Sequence, residues 1–168
     1  MLPVALVPNS ACVEFAKSLS GRLFNGVVKS PSFEVGAASN WETVGFSMHH
    51  DAIENVDGSG KRYIKGQTPI DGFKADLTNN GQGADVYRHI LFTAGNVLRG
   101  LWWGASANAV FIAYDWQQAQ RGRKESETEL RDDYAGLDVG NAMLRTAKAG
   151  GSGDYGALTS ELTTILCK

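Results

Sequence analysis

The stretch from Gly83 to Trp103 constrains the fold of this chain more than any other, because it is mostly apolar and keeps one period. Val86, Ile90, Ala94, Val97 and Leu101 recur at the i, i+3, i+4 spacing that lines one side of a helix. Asp85 precedes the first of them, where a carboxylate caps a helix or favours its positive end. A second row, Asp85, His89, Phe92 and Asn96, runs beside the stripe. A polar row bordering an apolar one is expected at the rim of a core, where side chains are desolvated yet reachable. The rest of the chain must supply partners for this helix.

At 168 residues the chain has the length of one domain able to bury a core without staples. Hydrophobic content of 43% and charged content of 20% are globular values. The net charge of −2 gives no strong nucleic-acid signature. No apolar run reaches the length of a membrane span, since Arg88 and Arg99 interrupt the most apolar helix. Met1 to Pro8 lacks a basic start and carries two prolines, so it reads as an arm or a cut end rather than a signal peptide. The two cysteines, Cys12 and Cys167, are either bridged across neighbouring termini or two buried thiols. They lack the CxxC spacing of a zinc site.

A first helix is expected from Asn9 or Ser10 to about Leu23, burying Cys12, Phe15, Ala16, Leu19 and Leu23. Ser39-Asn40-Trp41-Glu42 is a capping box that starts a weaker second helix through Ile53. Asp57 to Gln82 is polar and punctuated by Gly and Pro, which suits an ordered loop or small hairpin across the mouth of a site. Gly104 is expected to break the central helix, with Ser106 capping the next. A second capping box, Ser126-Glu127-Thr128-Glu129, starts a long helix. Residues 150–153 form a glycine-rich hinge before a last helix from Tyr155 to Leu166. The expected fold is mainly α, a single compact helical domain over 1–168 with an irregular middle.

His89 is the strongest candidate for chemistry. Asp85, one helical turn earlier, can orient its imidazole and raise its basicity, with Arg88 adjacent. The plainer reading is a core-edge histidine bonded to backbone. His49-His50-Asp51 is expected to face solvent; the alternative brings His50 to the His89 pocket as a substrate contact. Asp115, between aromatic residues, needs a partner if buried, and Arg88 or His89 would suit. Asp133 shares a row with Gly136, Leu137 and Gly140, where missing side chains allow close approach. Glu129 belongs to an acidic run expected to be mostly a wet face, and Asp132 is expected on the surface. No nucleotide cradle, zincin motif or calcium loop occurs, so no cofactor is expected. A metal on His89 with Asp115 or Asp133 is compatible with the sequence, but the spacing is not diagnostic and none is assigned.

Asp85-Val86-Tyr87-Arg88-His89, Asp115 in the next helix, and Glu129-Leu130-Arg131-Asp132-Asp133-Tyr134-Ala135-Gly136 together resemble the C-terminal effector domains of Rhs-type polymorphic toxins. The resemblance covers about Gly83 to Met143. It departs at Phe92, where many such domains carry Trp, and at Tyr114-Asp115, where they carry His-Glu. It implies a bacterial effector, secreted or delivered into a target cell as part of a larger protein, with a delivery shell or immunity protein as partner. The resulting expectation is a hydrolase using His89 as general base, Asp85 or Asp115 to orient it, and Arg88 to stabilise negative charge. Trp102, Trp103 and His50 would contact a polymeric or membrane-surface substrate. The alternative is a non-enzymatic helical binding or packing module.

Overall fold

A computed structural model describes residues 10–29, 40–54, 69–78, 85–100 and 104–168. Six helices carry the described chain: α1 (Ala11–Phe24), α2 (Asn40–Glu54), α3 (Val86–Arg99), α4 (Gly104–Gln120), α5 (Lys124–Lys148) and α6 (Tyr155–Leu166). No strand occurs among the described residues, only an isolated antiparallel bridge between Phe73 and Cys167. The arm before Ser10 and residues 57–68 and 79–82 of the expected loop lie outside the described residues.

Helix α1 begins where Ser10 ends: its hydroxyl accepts from the Val13 N–H at 3.3 Å, satisfying one of the free donors of the first turn. Its expected apolar face is fully buried. Phe15 meets Tyr87 of α3 edge-on at 4.8 Å, and Phe73 meets the same ring at 5.5 Å. Cys12 and Cys167 form a disulfide, so the bridged alternative holds. Backbone bonds flank it: Cys12 N–H donates to Asp71 O at 3.1 Å, and Lys168 N–H to Gly72 O at 2.8 Å. The described part of the middle segment, 69–78, is thus pinned to the start of α1 and to the residues at the end of α6.

Helix α3 is the hub, packed against α2, α4 and α5, while α6 closes the far side on α1 and α5. Its polar row is interior rather than rim. Asp85, His89 and Asn96 are all buried, and Arg88, half exposed at its side chain, is the most open residue of the helix. Three helices cover it on different sides, which a single apolar stripe does not reveal.

Two close approaches set the spacing. A Cβ on Gly136 of α5 would fall 1.7 Å from Thr93 Oγ1 and 3.2 Å from Ile90 Cα, so the bare backbone is what lets α5 touch α3. Gly104 corrects the sequence reading: it is the first residue of α4, not a breaker, and a Cβ there would lie 1.6 Å from Asn96 O. The chain turns instead at Gly100, whose φ is +105°. No helix among the described residues is long and apolar enough to cross a membrane.

Candidate functional site

His89 lies in the middle of the α3–α4–α5 junction, 3% exposed. Helix α5 brings Asp133 Oδ1 to 2.7 Å from its Nδ1, and Asp115 Oδ2 of α4 lies 3.6 Å from the same nitrogen. On the other side of the ring, Glu129 Oε1 stands 4.0 Å from Nε2. With the Nδ1–H donating to Asp133, the tautomer is set and the Nε2 lone pair faces Glu129. Phe111 of α4 lies over the imidazole at 5.1 Å.

The neighbouring helices hold this geometry through amide bonds. Asn96 donates from Nδ2 to Asn108 Oδ1 at 3.1 Å, and Asn108 Nδ2 donates to Thr93 O at 3.0 Å, fastening α4 to α3. Arg99 closes the set by donating to Asn96 Oδ1 at 3.0 Å. Because Asn96 and Asn108 are buried, breaking either bond would leave a polar group without water or partner.

Carboxylates outnumber cations around His89. Burial holds its imidazole below the ordinary value, against the pull of Glu129, Asp115 and Asp85. Burial likewise raises Asp115 to about 7, and its contact with Asp133 adds to the rise. Asp133 is also raised to about 7, by burial first. The two can share one proton near neutral pH. As ionised groups, Asp115 Oδ2 and Asp133 Oδ2 each lack a hydrogen-bond donor.

The expected residues therefore divide. His89, Asp115 and Asp133 come together. Asp85 and Arg88 pair with each other at 3.6 Å, at the start of α3, with the Arg88 side chain half exposed. Asp133, rather than Asp85, takes the hydrogen bond of the imidazole. His50 is exposed, and its neighbour His49 packs on Phe92 at 4.8 Å instead. Trp102 and Trp103 lie outside the described residues. A shallow apolar depression beside Phe111 is lined by Phe92, Val110 and Tyr114.

Two residues overturn their sequence reading. Glu129 is only 22% exposed at its side chain and belongs to the His89 cluster, not to a wet face. Asp132 is 0% exposed, and neither carboxyl oxygen has a hydrogen-bond partner. The signal for Asp132 was available: Ala135, Val139 and Ala142 follow it at helical spacing, so it sits on the apolar row of α5. The capping box at Ser126 is also displaced, since α5 starts one turn earlier and buries Ser126 and Thr128. No protein family, characterised protein or solved structure matches the chain.

Proposed function

We propose that this chain is a hydrolase domain in which the His89–Asp115–Glu129 cluster activates a water molecule. The carrying observation is the 2.7 Å contact between His89 Nδ1 and Asp133 Oδ1 in a buried setting. A carboxylate on one ring nitrogen orients the imidazole and leaves the other nitrogen aimed at the partly exposed Glu129. The water oxygen bonds to the electrophilic carbon or phosphorus, its proton passes to the cluster, and the leaving group departs with a proton returned from it. Arg88 would stabilise negative charge on the substrate. The apolar depression beside Phe111 offers a place for the non-reacting part of a polymer or membrane-surface substrate. The Cys12–Cys167 bridge supports a domain that works in an oxidising compartment, as secretion would place it.

The test is host growth and substrate release. Expression in a bacterial host, and assays on peptidoglycan, lipid vesicles and single-stranded nucleic acid, should show an effect that His89→Ala lowers about 10²–10⁴-fold while circular dichroism still shows a folded helical protein. An undiminished effect in that variant refutes the reading. One observation favours a binding module instead: α4 exposes Val110 at 72% and Trp116 at 53%. Loss of a bound partner in Trp116→Ala, with no change in His89→Ala, would select it.

A further inference from the structure

Around His89 the described residues gather the donor types of a cation site. One ligand atom from each of His89, Asp115 and Glu129 can be chosen so that all lie within 4.8 Å of one another. Two ligands held about 2.0–2.2 Å from one metal ion stand about 3–4 Å apart. The observed 4.0 Å between His89 Nε2 and Glu129 Oε1 leaves room for an ion between them with little movement. These three side chains come from three different helices, α3, α4 and α5, which a packed core would have no reason to converge on one point.

A second observation is independent of that clustering. Asp115, with a side chain 3% exposed, carries an Oδ2 that has no hydrogen-bond partner and lies 3.6 Å from His89 Nδ1, at the edge of the cluster. Asp133, fully buried, spends Oδ1 on His89 and leaves Oδ2 without one. Buried charge is paired or coordinates metal. The 2.7 Å bond from His89 Nδ1 to Asp133 is the arrangement that supports metal-binding histidines, fixing the tautomer and making Nε2 a better ligand.

We infer that His89 Nε2, the Asp115 carboxylate and the Glu129 carboxylate hold one divalent transition-metal cation of the Zn²⁺ or Mn²⁺ class, with Asp133 as the positioning residue behind His89. An imidazole with two carboxylates suits these ions, whereas Ca²⁺ takes six to eight oxygens and Mg²⁺ keeps most of its waters. The inference deepens the hydrolase reading, because a cation at this point lowers the pKa of a bound water and turns it into a nucleophile.

The test uses the untagged full chain, stripped with a chelator and titrated with Zn²⁺ or Mn²⁺ by calorimetry, with Mn²⁺ also followed by electron paramagnetic resonance. One equivalent should bind, more tightly than Mg²⁺ or Ca²⁺. Glu129→Gln should weaken binding at least tenfold and Asp133→Asn about 10–100-fold. His50→Ala, a surface histidine, should change nothing. Glu129 is partly exposed, so its amide variant retains the fold, checked by circular dichroism, even if a change at buried Asp115 does not. No binding by the wild type, or equal binding by Glu129→Gln, overturns the inference. Full hydrolysis by the metal-stripped protein overturns it too and leaves the hydrolase reading standing. Ligand-dependent binding by a protein inert towards every substrate supports the cation site and removes the hydrolase.

Discussion

Replacing Asp132 with Asn should stabilise the protein, and by an amount that grows with pH. The carboxyl group is 0% exposed and neither oxygen has a hydrogen-bond partner. Burial lifts its pKa well above the ordinary value, and Asp133, Glu129, Asp85 and Asp76 push in the same direction. The folded chain therefore holds a proton that the unfolded chain, with a pKa of about 3.9, has released. In that window the folded state binds more protons, so stability is fully present below the unfolded value and falls as pH rises towards the folded one. The slope from this one group is about 1.4 kcal/mol per pH unit. For a chain of this size that is about 3–6 °C of melting temperature per unit. Asp115 and Asp133 are raised as well and slope the same way, so the quantity to read is the difference between variant and wild type. Urea denaturation at pH 4.5, 5.5 and 6.5 with chelator present, followed by circular dichroism, measures it. The two proteins should nearly coincide at the acid end and diverge above. A constant difference across the three values, or a wild type that gains relative stability as pH rises, refutes the reasoning.

Two further perturbations test the packing. Reducing the Cys12–Cys167 bridge, or changing Cys12 to Ser, should cost about 2–5 kcal/mol in urea denaturation because it frees a loop with 155 residues of separation; titration of two free thiols in the unreduced protein would dismiss it. Gly136→Ala should destabilise by about 1–3 kcal/mol, since its Cβ meets Thr93 and pushes α5 away from α3. A gain of about 1 kcal/mol, the helix-propensity benefit alone, would show that the contact yields freely.

The helices with clear caps were legible in the chain itself. Ser10 and the buried face of α1, and Tyr155 to Leu166 as a helix, follow from local chemistry and one period. The close approach at Gly136 was legible for the same reason: a missing side chain on an inward row has a local meaning. What stayed hidden depends on several helices at once. The acidic run Glu125 to Asp133 contains both solvent-facing and interior carboxylates, and no local rule separates Glu125 from Glu129. Charge argued for water, whereas the position of Asp132 above Ala135 and Val139 argued for core, and position won. Gly104 was misread because its need is steric and comes from Asn96 of the preceding helix. The partner of His89 was one of the candidates, but only the convergence of α3, α4 and α5 selects Asp133 over Asp85.

The bond between Cys12 and Cys167 also decides how the molecule carries mechanical load. Tension applied between residue 11 and residue 168 runs through one covalent link and the short backbone bonds beside it, bypassing the helices between. Pulled at its ends in oxidising conditions, the domain should lengthen hardly at all, and α3 with its histidine feels no force. Once reduced, the same pull peels α1 and α6 from the bundle first, because residue 11 opens α1 and residue 168 follows α6 by two residues. The link thus acts as a clasp that makes the domain a rigid knot on a string when closed, and a string that can be drawn out when open.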